Sequence, residues 1–470
     1  MPSLNRRDVL KLSALLVDVL SPARGIAAVP KKRIIVAGAG LAGLTCAWEL
    51  TRRGHETIVL EASGRVGGHV RTVREGLADG LYADAGAEHF TKPGYELFHR
   101  YVKEFDLPVL PYPHRENVLQ VVDGRMIPES EAQSARVLQA RGFNQREVAY
   151  LTSHPDGDLS DLYFGRYMEK ITDEYQPFGV GLDSLDAQTV TGLLRQDGAS
   201  SAAIESIGSD DSALHGIWRQ AILRLRGVPS NPRELFRLKG GNQMLPDAFA
   251  IRLGNRIRKN CAVTDIRHVE SGVVVVCREN GEEKKFDADY LVCCMSAIML
   301  RVIAVTPAWP DNKQYAIANM PYTVETRPIF QSRTKFWKRD GYSGNMEFGS
   351  PLLGPLWPMA QDVPTGRGLL IGTAQGGVSA SMAYGVFKRY YPGKSVDIDN
   401  VMAVDWQLDK WAMACQARDY RPGELKKFWP ASIQPIGRVY FAGAYCDNMN
   451  WGMEAATRSA YRVARAIDEA

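Results

Sequence analysis

The 470-residue sequence has few cysteines, no long apolar run and little net charge. Seven cysteines, without a CxxC pair or a Cys/His cluster at zinc spacing, exclude a disulfide scaffold and predict no metal site. No apolar segment reaches the roughly 18 residues that cross a bilayer, so we expect no stable membrane span. A net charge of +4, without a basic stripe interleaved with aromatics, predicts no nucleic-acid partner. The length allows two or three domains.

The first 28 residues have the pattern of an export signal. Arg6 and Arg7 precede a modestly apolar stretch over residues 12–20, and small residues follow up to Ala28. The paired arginines resemble the twin-arginine type of bacterial signal, which implies a periplasmic or secreted protein. The alternative is an amphipathic helix that stays attached, and Asp18 within the apolar stretch favours it.

Residues 33–68 have the pattern of a dinucleotide-binding βαβ unit. Lys32–Ala37 predicts a buried parallel strand, Leu44–Arg53 a helix and Thr57–Leu60 a second strand. A glycine turn joins the first strand to the helix, and Glu61 ends the second strand. This order predicts a Rossmann-type α/β fold.

The residue types of this unit suit a bound dinucleotide. Gly38 allows the tight turn, Gly40 lets the backbone approach a pyrophosphate, and Gly43 lets the helix pack close to the strand. The helix N-terminus faces the phosphates because its free N–H groups favour an anion. Glu61 is placed to accept hydrogen bonds from ribose hydroxyls. A glycine turn without a ligand is the alternative, which the complete βαβ context disfavours.

The segment Gly64–Gly68 resembles the glycine-arginine segment of the FAD-dependent amine oxidase superfamily, which includes monoamine, polyamine and L-amino-acid oxidases. Further runs resemble family motifs in the same order: Asp84–Ala87, Gly240–Pro246, the strand around Val263, Tyr440–Gly443 and Gly452–Ala456. The resemblance implies FAD as the cofactor. It implies that the helix starting at Gly452 points at the flavin, where its N-terminus stabilises the anionic reduced ring.

The resemblance, together with the βαβ unit, predicts the FAD-binding residues. They are Gly38, Gly40, Ala42, Gly43, Glu61, Ala62, Arg65, Gly67, Gly68, Gly86, Ala87, Val263, Cys415, Gly443, Gly452 and Met453. Cys415 falls on the position that, in monoamine oxidase, binds the flavin covalently. A small buried residue that lines the flavin pocket is the alternative reading of Cys415.

The expected architecture is a Rossmann-type FAD-binding domain with an inserted α+β substrate-binding domain. Residues 31–90, 236–303 and 404–470 are predicted to build the FAD-binding domain, and residues 91–235 and 304–403 the substrate domain. Hairpin turns are predicted at Asp123-Gly124 and at Asn280-Gly281.

The resemblance implies oxidation of a C–N bond in an amine or amino acid. Hydride passes to flavin N5, the imine hydrolyses, and O2 reoxidises the flavin and gives H2O2. Three alternatives stay open: a dehydrogenase of the same fold that uses a periplasmic electron carrier, a C–C desaturase, and a non-catalytic flavin-binding subunit. A homodimer is one expected assembly.

Four residues are candidate catalytic residues: Arg327, Trp451, His89 and Glu88. Arg327 falls where the family usually has a lysine that helps the oxygen reaction, and a guanidinium keeps the charge with a larger fork. The alternative for Arg327 is a salt bridge with Glu325 or with an acid across the sheet.

The substrate side departs from monoamine oxidases. Gln416 and either Trp451 or Gly452 stand where two tyrosines sandwich the amine, so at most one aromatic wall remains. Glu88 is expected to pair with a substrate ammonium, and His89 to accept a proton. The alternative is that both are hydrogen-bonded turn residues. Other aromatics are expected either in the cavity or in the core: Phe90, Tyr322, Phe336, Trp337 and Trp357.

Overall fold

The computed structural model describes residues 30–112, 116–154, 157–414, 420–449 and 452–470. Helices and strands alternate along this part of the chain, and the strands form both parallel and antiparallel sheets. The predicted α/β class is confirmed.

A parallel sheet of five described strands lies at the centre of the fold, in the order Ile257–Arg258, Glu56–Leu60, Arg33–Ala37, Tyr290–Cys293, Val439–Phe441. Four residues of Arg33–Ala37 are fully buried, as expected for a strand covered on both faces. The strands come from three distant parts of the chain, so the sheet closes through long-range contacts.

The first βαβ unit differs slightly from its prediction. The helix spans Leu41–Arg52 and so begins three residues before the predicted Leu44, directly after Gly40 as its N-cap. Leu and Ala at the start of the helix pack into the core, which extends the helix to the glycine turn itself. The C-terminal helix Gly452–Glu469 packs alongside this helix.

The described residues also form a sheet of four strands and a sheet of eight. One has the order Glu282–Ala288, Gly272–Glu279, Cys261–Val269, Ala304–Thr306. The other has the order Ala374–Gln375, Glu325–Ser332, Gly368–Gly372, Leu353–Pro358, Met346–Ser350, Leu119–Val122, Arg125–Pro128, and Ile398–Asp405 also pairs with Glu325–Ser332. Both predicted hairpins are confirmed, with positive φ at Asp123 and Asn280.

Several strands lie at or across the predicted domain boundaries near residues 90, 235 and 403. The strand Leu235–Leu238 pairs with both Phe90–Thr91 and Val109–Pro111. One small sheet therefore contains residues from both sides of the predicted boundaries. Ile398–Asp405 runs through the predicted boundary at residue 403. The domain division stays a prediction. A short antiparallel pair joins Thr72–Val73 and Ala83–Asp84.

The α-helices vary from one turn to five turns. Besides the two already named they are Glu96–Glu104, Glu129–Ala132, Ala135–Ala140, Gln145–Ser153, Leu159–Met168, Val190–Gln196, Ser201–Ile207, Ala213–Leu225, Met244–Leu253, Ala297–Leu300, Asp311–Asn319, Phe336–Arg339, Ala380–Tyr390, Pro392–Ser395 and Leu425–Phe428. Among the helices described, none is long and apolar enough to cross a bilayer.

Candidate active site

A cavity of about 430 Å³ lies at the carboxyl ends of the parallel strands. Four strands lead into its wall: Arg33–Ala37, Glu56–Leu60, Tyr290–Cys293 and Val439–Phe441. Ligands of open α/β sheets bind at this edge, because the turns that follow parallel strands meet there. The fold therefore sets the position of the cavity.

The cavity brings together most of the predicted site residues. Those that line it are Gly38, Gly40, Ala42, Glu61, Ala62, Arg65, Gly67, Gly68, Gly86, Ala87, Glu88, His89, Val263, Arg327, Gly443, Gly452 and Met453. Gly43 is not part of the wall. Cys415, Gln416 and Trp451 lie outside the described residues.

One end of the cavity, which we call the glycine end, consists of Gly38, Gly40, Gly67 and Gly68. The Gly38 N–H donates to the Leu60 carbonyl at 2.8 Å, and Gly38 has a φ of +106°. Gly40 and Gly67 pair as an isolated bridge, so two backbone segments touch without side chains between them. Exposed backbone N–H groups beside a helix N-terminus suit a phosphate.

Gly43 supports the glycine end from behind. A Cβ atom at Gly43 would lie 1.9 Å from the Gly38 carbonyl oxygen, which is backbone and cannot move aside. Gly43 was predicted among the FAD-binding residues. Its position makes it a packing residue that lets the helix approach the turn.

The carboxylate of Glu61 lies next to the glycine end. It accepts a hydrogen bond from the Ala39 N–H at 2.6 Å, and its other oxygen accepts from the Ser63 N–H at 2.8 Å and from Ser63 Oγ. These bonds fix the carboxylate at the cavity wall. Each oxygen keeps acceptor capacity for a ligand hydroxyl.

Arg65 joins the glycine end to a distant part of the chain. Its guanidinium donates to the Gly68 carbonyl at 2.7 Å and to Asp409 at 2.9 Å. Burial opposes ionisation of Asp409, but the Trp411 N–H and Arg65 together lower the pKa of this carboxyl. Sequence reasoning missed Asp409, because its partner is 344 positions away.

A buried carboxyl lies beneath the predicted turn at Gly86. Asp84 accepts hydrogen bonds from Thr72 Oγ1 at 2.6 Å and from the Asn242 N–H at 3.0 Å. Burial raises the pKa of Asp84 to about 7, despite those two donors. The contact joins the Asp84–Ala87 motif to the Gly240–Pro246 motif, which explains why both glycine-rich runs lie near the cavity.

The indole of Trp406 forms part of the cavity wall beside the Gly86 turn. It stacks on the His69 ring with centroids 4.1 Å apart, and its Nε1 donates to the Ala85 carbonyl at 2.8 Å. Burial lowers the pKa of His69 to about 4, so His69 is neutral near pH 7. His69 was not recognised from the sequence, since a lone histidine gives no spacing signal.

Another part of the cavity wall holds a charged cluster, defined by Glu88, His89, Glu325 and Arg327. Arg327 Nη1 lies 3.6 Å from Glu88 Oε2, and Arg327 Nη2 lies 3.3 Å from Glu325 Oε2. His89 Nδ1 lies 3.3 Å from Glu88 Oε1. The ion pair with Glu325, considered as an alternative for Arg327, is present while Arg327 still lines the cavity.

The charged cluster has two carboxylates against one guanidinium. Among these three charged groups the carboxylates outnumber the cation by one. Glu88 and Arg327 are largely removed from solvent, so these charges act on a ligand with less screening than at the surface. The excess favours a ligand that carries a positive charge.

A tyrosine that sequence reasoning missed lies beside Gly452. The Tyr95 ring lines the cavity and packs against Phe98, with centroids 6.0 Å apart. Gly452 has a φ of +80°, and a Cβ atom there would lie 2.7 Å from the Tyr95 hydroxyl. The absence of a side chain at Gly452 therefore leaves room for Tyr95.

Of the aromatics expected in the cavity or the core, Tyr322 alone lines the cavity among the described wall residues. The other four are buried in hydrophobic cores: Phe90, Phe336, Trp337 and Trp357. These four rings therefore lie in the cores and not in the described cavity wall. Val302 and Met299 also reach the wall, from the segment after Tyr290–Cys293.

The chain matches a known protein family. The family described as flavin containing amine oxidoreductase matches the chain over residues 41–468. This chain belongs to that family. The match begins at Leu41, directly after Gly40, and includes the charged cluster and nearly all of the C-terminal helix, so it takes in most of the cavity wall.

Curated relatives of this amine oxidoreductase include L-amino-acid oxidases of snakes. The enzyme of Bothrops moojeni is 23% identical over 93% of this chain and 90% of its own length. The enzyme of Crotalus adamanteus is 24% identical over 93% of this chain and 87% of its own length.

Solved structures share the fold. Cyclohexylamine oxidase from Brevibacterium oxydans IH-35A superposes with a TM-score of 0.77 at 21% identity, covering 94% of this chain and 99% of its own. Putrescine oxidase bound to putrescine superposes with a TM-score of 0.75 at 19% identity, with the same coverage. The predicted Rossmann-type fold with a substrate domain is confirmed.

The cofactor of this amine oxidoreductase is FAD, as the sequence predicted. The cavity fits that group. A side-chain-free backbone cradle and a helix N-terminus suit a pyrophosphate, a fixed carboxylate suits ribose hydroxyls, and a second helix begins at Gly452 on the cavity wall.

Proposed function

We propose that this protein oxidises the C–N bond of an amine or amino acid that binds against the charged cluster. The observation that carries the proposal is the pair of carboxylates, Glu88 and Glu325, that flank the single guanidinium of Arg327 at the cavity wall. An amine substrate is a cation near neutral pH, so this cluster attracts it. A C–C desaturase needs a long apolar tunnel for its substrate. The charged cluster in the cavity wall is unfavourable for such a tunnel, so we disfavour the desaturase alternative.

We assign the cofactor contacts by position. The glycine end holds the pyrophosphate, Glu61 the ribose, and Val263 the adenosine. Arg65 would supply a positive charge near the phosphates. Its ion pair with Asp409 neutralises part of that charge. Gly86, Gly443 and Gly452 border the ring.

The bound flavin supplies the chemistry: it accepts a hydride from the substrate carbon and passes the electrons to O2, which gives H2O2, while the imine product hydrolyses in water. The chain's residues bind and orient the substrate and handle its proton. Glu88 and Glu325 attract the ammonium, and His89, in contact with Glu88, is placed to accept the proton that the amine must lose.

The dehydrogenase alternative has one observation in its favour. Arg327 lies between two carboxylates, which neutralise much of its positive field. A positive charge near the ring would favour reoxidation by O2, because negative charge develops on oxygen in that reaction, so a largely neutralised Arg327 would favour it less. A periplasmic electron carrier would then replace O2 as the acceptor.

Three finer proposals concern Cys415, the N-terminal segment and the oligomeric state. We propose that Cys415 binds the flavin covalently, since the neighbouring Ala414 lines the cavity. We propose that residues 1–28 direct export by the twin-arginine route to the periplasm or the medium. A homodimer is the proposed assembly.

Anaerobic mixing of the purified holoprotein with single amines and single L-amino acids tests the main proposal. We expect at least one compound to bleach the flavin absorbance, and admission of air to restore the colour and release H2O2. Restoration by a dye but not by air would establish the dehydrogenase. If dithionite bleaches the flavin and no amine or amino acid does, the proposal is wrong.

The same sample tests the covalent bond. After acid precipitation, we expect the yellow flavin to stay in the protein pellet, and replacement of Cys415 with Ala to move it to the supernatant. Yellow in the supernatant from the unaltered protein would contradict covalent attachment.

A further inference from the structure

Two buried cysteines meet across an antiparallel strand pair behind the glycine end. Cys261 begins the strand Cys261–Val269, and Cys277 lies near the end of Gly272–Glu279. Cys277 stands opposite Val263 in the register, so the two thiols are diagonal neighbours on one face. Their Sγ atoms are 2.7 Å apart, and neither residue is exposed to solvent.

This contact distinguishes the pair from the other cysteines that the structure describes. Cys46, Cys293, Cys294 and Cys446 lie in helix, strand or turn segments around the cavity, and no thiol contact joins them within the described residues. Side chains on neighbouring strands can bridge when their Cβ atoms face each other at short range. For Cys261 and Cys277 the observation is the 2.7 Å separation of their Sγ atoms.

We propose that Cys261 and Cys277 are a site of covalent modification, at which a small disulfide such as oxidised glutathione converts the two thiols into a cross-strand disulfide. One thiolate attacks a sulfur of the small disulfide and releases one thiol. The second attacks the resulting mixed disulfide, releases the other thiol and forms the bond between Cys261 and Cys277. The protein loses two electrons and two protons, and the small disulfide gains both.

The timing of the reaction follows from burial. Burial raises the pKa of both thiols, so the reactive thiolate is scarce in the folded protein. The bond therefore forms fastest while the two strands are pairing, and exchanges slowly afterwards. This behaviour is that of a structural bond, not of a rapidly reversible switch.

The bond would reinforce the cofactor cavity. The Cys261 N–H donates to the Glu61 carbonyl at 2.8 Å, and Val263, two residues on, lines the cavity. A disulfide closes a short hairpin loop and removes conformations from the unfolded chain. We expect the oxidised protein to release FAD at a temperature about 3 °C higher than the reduced protein.

Peptide mapping tests the proposal directly, because trypsin cleaves after Lys259, Arg267 and Arg278 and so separates the two cysteines. The full chain is unfolded in urea, refolded with FAD in oxidised or in reduced glutathione, and alkylated with N-ethylmaleimide. We expect a linked peptide pair, residues 260–267 and 268–278, in the oxidised sample and two alkylated peptides in the reduced one. Alkylation of both cysteines after oxidised refolding overturns the proposal.

Variants test the effect on the cavity. The unaltered protein and the control Cys46→Ser, which removes a buried thiol outside the pair, should both release FAD at a higher temperature when oxidised. Cys261→Ser and Cys277→Ser should show no difference between the two conditions. An unchanged difference in these two variants contradicts the stabilising role, and the peptide map of the unaltered protein decides the bond if they fail to fold.

Discussion

The glycine end and the charged cluster line the same cavity, yet they are built in different ways. The glycine end is made of backbone: Gly38, Gly40 and the bridge to Gly67 leave no side chain between the strand turn and the ligand. The charged cluster is made of side chains from two distant segments, Glu88 with His89 and Glu325 with Arg327. Backbone geometry constrains residue type position by position, whereas a side-chain cluster can be rebuilt with other residues.

The largest effect is expected from a side chain added behind the glycine end, because it removes the cofactor on which all activity depends. Gly43→Ala places a Cβ atom 1.9 Å from the Gly38 carbonyl oxygen, so the helix must move away from the turn. We expect FAD content to fall by about tenfold or more. Flavin absorbance relative to protein measures it. Gly385→Ala, in a helix with open space around the glycine, is the matched control and should bind FAD normally.

Arg327 tests the charged cluster. Arg327→Gln leaves Glu88 and Glu325 without their shared cation, and we expect kcat/KM to fall by about a hundredfold while FAD content stays the same. Arg327→Lys separates the two reaction halves: substrate reduction of the flavin should persist, and reoxidation by air should quicken. Stopped-flow absorbance measures both steps. Loss of FAD from Arg327→Gln would show that the glycine end and the charged cluster are not independent.

The buried carboxyl of Asp84 leads us to predict a pH effect on stability. Its pKa of about 7 in the folded state exceeds the ordinary value of 3.8, so the folded protein binds a proton that the unfolded chain has released. Stability should therefore decrease as the pH rises from about 4 to about 7. Asp84→Asn removes this titration, and we expect its melting temperature to change by about 4 °C less over that range. Equal slopes for both proteins would contradict the assignment.

The smallest effect is expected at Tyr95 and Gly452. Gly452→Ala brings a Cβ atom to 2.7 Å from the Tyr95 hydroxyl and strains a positive φ, so the ring must shift within the cavity. We expect KM to change about fivefold with FAD retained. The double variant with Tyr95→Phe, which removes the hydroxyl, should recover part of the loss. No recovery would indicate that backbone strain, and not Tyr95, causes the change.

The same comparison explains what the sequence alone could predict. The βαβ unit, the two hairpins and FAD were predicted because turns, close approaches and strand periodicity each demand a few residue types. The helix start at Leu41 was placed three residues late, since apolar helix residues next to a glycine turn give no boundary signal. Tyr95 and Asp409 were missed because each reaches the cavity through contacts between segments far apart in the chain, and His69 was missed because a lone histidine gives no spacing signal.

The parallel sheet also dictates when the cofactor can bind during synthesis. The strand Arg33–Ala37 lies inside the sheet, between Glu56–Leu60 and Tyr290–Cys293, and the helix Gly452–Glu469 packs back on Leu41–Arg52. Between the emergence of Leu60 and that of Val439, a ribosome works for roughly 20–75 s at the usual elongation rate. The edge of Arg33–Ala37 stays open until Tyr290–Cys293 emerges, and the apolar face of Leu41–Arg52 stays uncovered until Gly452–Glu469 does. We therefore expect FAD capture to be a late event, and the nascent chain to expose apolar surface until its last helix arrives.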